Sequence, residues 1–260
     1  MLTVNELFAG IGAFRKALIN LNIPHEIVGI SEIDKYAVKS YEAMYGKTRN
    51  YGDVSKISKL DYADLWTYGF PCQDLSNAGK QRGLIKGETR SGLLYEVQRL
   101  LGIASLYDEL PKYLIMENVK PLVGKKFLPK FNEWLSWLSD CGYESYWQVM
   151  NAADYGIPQK RERVICVSIR KDLIENGLYQ FSFPEQQPLE IKFRDLLEEQ
   201  VDEKYYLKQE TYEWYQKHNE ECEEKGLGFR FSPVDRERAE IAKTITTRPD
   251  RTEVNYIREV

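Results

Sequence analysis

Short apolar runs alternate with helical spacing along the first two thirds of the chain. Thr3-Val4-Asn5-Glu6-Leu7-Phe8 and His25-Glu26-Ile27-Val28-Gly29-Ile30-Ser31 read as strands. Between them Phe14 to Leu21 carries a helical pattern, and Lys35 to Tyr45 predicts a second helix. The run from Ala63 to Tyr68 reads as a buried strand. It stops at Gly69-Phe70-Pro71, because proline has no N–H to give to a ladder. Ser91 to Tyr107 predicts a helix whose apolar stripe is Leu94, Val97, Leu101 and Ala104. Lys112 to Val119 then reads as an apolar strand, and Phe131 to Leu138 as a helix with core aromatics. Glu144 to Met150 and Arg163 to Ile169 are expected to pair as an edge hairpin. This alternation predicts an α/β fold: a doubly wound, mostly parallel sheet with an antiparallel edge hairpin. Past Phe181-Ser182-Phe183-Pro184 the pattern breaks, so the expected division is 1–184 and 185–260. In the second part Lys192 to Gln200 and Gln209 to Glu224 read as helices, with Tyr205, Tyr206, Tyr212, Trp214 and Tyr215 nearby.

Composition narrows the possibilities. At 260 residues and 43% hydrophobic content, the chain can bury one substantial core and an appendage. Its net charge of −4 and isoelectric point near 5.5 are not the footprint of a general nucleic-acid binder. Any such binding must rest on local patches, such as Lys120, Lys125, Lys126 and Lys130, or the stretch from Gln73 to Arg90. Acid is concentrated between Glu198 and Glu224 and reads as a solvated helical face. The four cysteines form no CxxC pair, so neither a zinc site nor a disulfide framework is expected, and no metal is assigned. No signal peptide and no bilayer-length apolar stretch is seen, so the expected compartment is a reducing cytoplasm, with no membrane partner.

Candidate chemistry sits at the ends of the predicted strands. Cys72 directly follows Pro71, which places it at the carboxyl edge of a sheet, where open α/β folds bind ligands. A lone cysteine is more often an inert buried thiol than a nucleophile, so its neighbours decide. The turn Ala9-Gly10-Ile11-Gly12-Ala13 joins the first strand to the first helix and makes half of a nucleotide-binding unit. Taken alone it is a weak signal, with fewer glycines than the dinucleotide fingerprint. Glu32 lies about 20 positions further on, where an acid can bind ribose hydroxyls. Asp53 follows the next helix and suits an adenine amino group; the plain reading of either acid is a helix cap or a surface charge. The strand ending at Val119 carries Glu117 and Asn118. Arg161 and Arg163 alternate before the next apolar run, and period-two geometry points both guanidinium groups the same way.

These blocks, in this order, resemble the C5-cytosine-specific DNA methyltransferase family of bacterial or phage type. Phe8-Ala9-Gly10-Ile11-Gly12 is similar to its cofactor motif, Pro71-Cys72-Gln73 to its nucleophile motif, Glu117-Asn118-Val119 to its substrate clamp and Gln159-x-Arg161-x-Arg163 to its arginine motif. Ser76 to Gly83 and Thr89 to Leu94 look like its mobile active-site loop and the start of the following helix. The resemblance runs from about Val4 to Arg170. It implies a Rossmann-like catalytic domain over 1–184, with a linker and part of a target-recognition region over 185–260. It implies S-adenosyl-L-methionine as cofactor, held by Phe8, Ala9, Gly10, Ile11, Gly12, Glu32, Ile33, Asp53, Val54, Pro71 and Leu93. Duplex DNA is the implied partner, met by Gln73, Ser76, Lys80, Arg82, Arg90 and Gln159.

The implied reaction explains the residue types. C5 of cytosine is a poor nucleophile until a thiolate adds to C6, and Cys72 is the expected thiolate. Glu117 relieves the charge at N3 and holds the exocyclic amine, while Arg163, with Arg161 beside it, binds O2. The base must first leave the duplex stack. His25 and His218, the only two histidines, lie outside these blocks, so water or hydroxide is the expected acceptor of the C5 proton.

Two departures matter. Ala13 stands where the family often has glycine, which suits a tight turn only if its φ is negative. Two later family motifs, one completing the cofactor pocket, are not seen before Val260. The expectation is incompleteness, either one half of a split enzyme that needs a second polypeptide or a truncated remnant, with a compact variant as the alternative; an incomplete chain would leave apolar surface exposed. Two rival readings are methylation of cytosine in tRNA and a non-catalytic cofactor-binding subunit.

Overall fold

A computed structural model describes residues 1–71, 90–175, 181–226, 231, 233–244 and 256–258. The strands are β1 (Leu2–Leu7), β2 (His25–Ser31), β3 (Leu65–Tyr68), β4 (Tyr113–Val119), β5 (Tyr143–Asn151), β6 (Gln159–Lys160), β7 (Glu162–Arg170), β8 (Val234–Asp235), β9 (Ala242–Lys243) and β10 (Ile257–Arg258). The α-helices are α1 (Ala13–Asn20), α2 (Lys35–Tyr45), α3 (Leu94–Leu106), α4 (Leu128–Asp140), α5 (Lys171–Glu175) and α6 (Gln209–Glu224). Two compact units form: Met1–Met150 with Arg163–Phe183, and Asn151–Glu162 with Pro184–Val260.

The first unit holds a six-stranded sheet in the order β2-β1-β3-β4-β7-β5. β2, β1, β3 and β4 run parallel, and β7 is antiparallel to β4. The Lys171 N–H at the end of β7 donates to the Gly142 carbonyl before β5 at 2.8 Å, so the edge pair is the antiparallel hairpin expected from the sequence. β3 shows why the parallel part is central. All four of its side chains are buried, as parallel strands covered on both faces require. Trp66 and Tyr68 of β3 share a core with Leu114 and Met116 of β4 and Val164 and Cys166 of β7. The α3 stripe Leu94, Val97, Leu101 and Ala104 enters the same core, joined by Leu100 and by Phe131, Trp134 and Leu138 of α4. Each such aliphatic side chain contributes about 1.5–3 kcal/mol of transfer free energy.

Parallel strands deliver their carboxyl ends to one edge. There the chain leaves β1 for the glycine turn, β2 for Glu32 and β3 for Gly69-Phe70-Pro71. The register Tyr68↔Met116 sets Glu117 one step and Asn118 two steps beyond the end of β3. β7 enters from the same edge, with Val119 opposite Arg163.

In the second unit β6 pairs with β9 and β8 with β10, both parallel. Tyr212 and Tyr215 of α6 pack against Phe231, and Tyr256 closes on both Tyr215 and Phe231. The helix expected over Lys192 to Gln200 does not form. Only Phe193–Leu196 makes a single 3-10 turn. The N–H groups of Phe193 and Arg194 donate to the carbonyls of Glu240 and Ala239, and the Asp195 carboxylate accepts from the Lys192 N–H. A local side-chain bond and two long-range backbone bonds thus replace helical ones.

Candidate active site

Glu117 and Arg163 meet at this edge. They lie on neighbouring antiparallel strands, and Arg163 Nε donates to Glu117 Oε1 at 2.9 Å. Both are partly covered, with side chains 31% and 20% exposed. The Glu117 carboxylate also lies beside the chain leading to the predicted nucleophile: a Cβ placed on Gly69 would sit 3.6 Å from Glu117 Oε2. Asn118 ties that segment down. Its buried Nδ2 donates to the Phe70 carbonyl at 3.0 Å, and its Oδ1 accepts from the Val119 N–H at 2.8 Å. Asn118 belongs to the clamp block of the sequence, yet its hold on Phe70 depends on the strand register. Pro71 is half-buried, while Cys72 lies outside the described residues. Cys166 is buried, and burial pushes its thiol up to about 12. Cys141 is also shifted upward, by burial and then by Asp140. Neither thiol is suited to act as a thiolate.

A second cluster surrounds the turn after β1. Phe8, Gly10 and Gly12 have φ of 56°, 55° and 82°, all left-handed. Ala13 starts α1 and is absent from the positive-φ residues, as a tight turn with alanine there requires. No atom lies within 4 Å of a Cβ placed on Gly10. The Gly10 N–H donates to Glu32 Oε2 at 2.8 Å, and Glu32 Oε1 accepts from the N–H groups of Ile33 and Asp34 at 2.8 Å each. Three backbone donors hold this carboxylate in place, and its roughly four lone-pair sites leave room for a ligand hydroxyl. Ile33 and Ile11 are exposed, at 75% and 56%. Asp53 accepts from the Ser55 hydroxyl and N–H, both on Oδ1, and these bonds hold its carboxyl below the usual range. It therefore serves as a helix cap and remains a charged acceptor. An open glycine turn, two acids at neighbouring chain ends and an exposed apolar side chain suit a nucleoside with a flexible polar tail. In this respect the site fits S-adenosyl-L-methionine.

Other predicted residues fall as follows. Ala9 donates to the Ser31 carbonyl at 3.3 Å and links the turn to β2. The Val54 side chain is buried in the core, and Leu93 packs against that core. Gln159 lies in β6 of the second unit, opposite Ala242. Arg161 also belongs to that unit; its N–H bonds Asn151 Oδ1 at 3.0 Å and its carbonyl accepts from the Ala152 N–H. Gln73, Ser76, Lys80 and Arg82 lie outside the described residues, and Arg90 is described only in its backbone, within the 3-10 turn Arg90–Leu93. Among the described residues no group of three or more metal-ligating side chains occurs, and no helix is long and apolar enough to cross a membrane.

Known proteins bear on this geometry. Residues 2–259 match the family model described as C-5 cytosine-specific DNA methylase. The chain is 40% identical to the type II methyltransferase M2.ScrFI of Lactococcus lactis subsp. cremoris, over 80% of its own length and 71% of the relative's. It is 37% identical to the orphan methyltransferase M.Rho11sI of Bacillus phage rho11s, covering 46% of that protein. Among solved structures, S. pombe Dnmt2 methyltransferase superposes over 98% of the chain and 74% of the Dnmt2 chain, at TM-score 0.68 and 22% identity.

Proposed function

The chain belongs to the C-5 cytosine-specific DNA methylase family, whose members are DNA cytosine-5 methyltransferases, and from that premise we propose that it transfers a methyl group to C5 of a cytosine flipped out of duplex DNA. The observation that carries this reading is the Glu117–Arg163 pair, set at the carboxyl edge of the sheet beside the segment that leads into Cys72.

In this mechanism the Cys72 thiolate adds to C6, and the electron pair of the C5–C6 double bond becomes available at C5. Arg163 takes the growing charge at O2, and Arg161 is assigned a supporting catalytic role from the same arginine block. Glu117 holds the exocyclic amine and carries the proton shared with N3. Asn118 keeps the chain before Cys72 in place through Phe70. Bound S-adenosyl-L-methionine supplies the methyl group, and Glu32, Ile33, Asp53 and the Phe8–Gly12 turn are assigned to hold it. Water or hydroxide then removes the C5 proton, the sulfur–C6 bond breaks, and Cys72 leaves as thiolate. Lys80, Arg82 and Arg90 are assigned to DNA phosphates. A reducing cytoplasm keeps the thiol free.

We also assign a second polypeptide to the face near α1. No residue of this helix is buried, and Ile11, Ile19 and Leu21 stand 56%, 41% and 69% exposed around it. The test is methyl transfer from a labelled donor to cytosine-containing duplex DNA and, in parallel, to tRNA. Label in the duplex, dependent on Cys72, supports the reading. Label in tRNA alone would replace it with the RNA reaction, and robust turnover by the isolated chain would remove the second polypeptide.

A further inference from the structure

Beneath the glycine turn lies a buried polar network that the mechanism above does not use. Glu6 sits on β1 and is 1% exposed. Its Oε1 accepts from the Arg15 N–H in the first turn of α1 at 3.1 Å, and its Oε2 accepts from the Tyr41 hydroxyl at 2.5 Å. Burial raises the Glu6 pKa, while the Tyr41 and Arg15 bonds oppose that shift. Tyr41 and Tyr45 lie one turn apart on α2, with rings 4.9 Å apart edge to face. The Tyr45 hydroxyl donates to the Gly12 carbonyl at 3.0 Å. The Arg15 guanidinium lies 4.8 Å from the Tyr45 ring and 5.5 Å from the Tyr41 ring, and its Nη1 donates to Thr48 Oγ1 at 3.2 Å. Its buried Nε finds no hydrogen-bond acceptor among the described residues.

This network bears on the turn directly. A Cβ on Gly12 would come within 2.6 Å of Tyr45 and 2.7 Å of Tyr41. Gly12 is therefore pressed onto the two rings, and its left-handed φ independently favours glycine. Phe8 adopts a left-handed φ without being glycine, so the turn needs its surroundings to hold it. β1, α1 and α2 supply that hold through Glu6, Arg15, Tyr41 and Tyr45.

We propose that Tyr41 and Tyr45, tied to Glu6 and Arg15, are positioning residues that keep the Phe8–Gly12 turn in its donor-binding shape; this rests on the reading of that turn given above. They touch the turn at Gly12, so their loss should weaken donor binding more than it slows methyl transfer at saturating donor.

The experiment is calorimetric titration of the full chain, with any partner it proves to need and without DNA, with S-adenosyl-L-homocysteine, the demethylated product. It is repeated on Tyr45→Phe and Tyr41→Phe, with melting temperatures and the donor KM and kcat. Tyr45→Phe keeps the ring against Gly12 and removes one hydrogen bond, so Kd is expected to rise about threefold to tenfold. KM for the donor should follow Kd, with a smaller change in kcat. Tyr41→Phe strips a buried carboxylate oxygen of its donor and should weaken binding further while lowering the melting temperature. Parent affinity in Tyr45→Phe overturns the inference, whatever its melting temperature. If the parent chain, together with any partner that turnover requires, binds no product, the reading of the turn itself fails, and this inference with it.

Discussion

Glu117 and Arg163 sit 46 positions apart in sequence and are brought to 2.9 Å by antiparallel pairing of β4 with β7. A partly covered guanidinium aimed at a carboxylate is well placed to receive a pyrimidine carbonyl, because its forked donors keep their geometry. Arg163→Ala is expected to lower the single-turnover rate about 10²- to 10³-fold, the usual cost of losing one donor that stabilises developing charge. Arg163→Lys should recover little, since an ammonium cannot reproduce the fork. Cys72, Glu117 and Arg163 stand out as candidates in the chain because each stands at a punctuation mark: a proline, or the end or the start of an apolar run. Glu6 gives no such signal. A lone acid in a strand reads as a solvent-facing side chain, and its partner Tyr41 is 35 positions away. Asn118 is intermediate: its block is recognisable, but its grip on Phe70 follows from register alone.

At the scale of elements, the opposite edge of the sheet depends on one carboxylate. Asp64, just before β3, accepts from the Thr3 N–H at 3.1 Å, the Thr3 hydroxyl at 2.8 Å and the Tyr62 hydroxyl at 3.1 Å, and pairs with Lys112 at 2.9 Å. It thereby laces the starts of β1, β3 and β4. Burial alone would raise its pKa, but the Lys112, Thr3 and Tyr62 donors outweigh burial and hold it well below the usual carboxylate range. Its folded-state pKa therefore lies below the unfolded value of about 4. The stabilisation is present above that value and is lost as pH falls through the folded pKa. Asp64→Asn should cost about 1–2 kcal/mol in urea unfolding at pH 7, because the Thr3 donors lose a charged acceptor and an amide NH₂ replaces the oxygen that Tyr62 and Lys112 meet, while the partly exposed Lys112 pair is screened and adds little. The difference from the parent should shrink as pH drops below about 4; a constant difference would contradict the assignment.

The strands and the helices α1 to α4 follow from hydrophobic period, because local pattern and tertiary burial agree there. Lys192 to Gln200 shows the limit. Its residues are compatible with a helix, but Glu240 and Ala239 take its N–H groups from more than 40 positions away. The period also leaves the length of α4 open, since Pro129 at its start and Asp140 at its end lie outside the apolar stripe.

At the scale of the molecule, parallel strand order does the gathering. The glycine turn, Glu32, the Gly69–Pro71 segment and Glu117 come from four strands, yet share one edge because those strands run the same way. Net charge, by contrast, is a poor guide to such a site: a chain at −4 must place its cations locally to meet DNA. The most direct test of the central claim is covalent trapping. The full chain, with any partner it proves to need, is incubated with methyl donor and a duplex carrying 5-fluorocytosine, and the products are weighed by intact mass spectrometry. The account predicts a stable protein–DNA adduct, because fluorine cannot leave as the C5 proton does, and its complete loss in Cys72→Ser. An adduct that persists in Cys72→Ser, or methylated duplex recovered with no adduct from the parent chain, would contradict it.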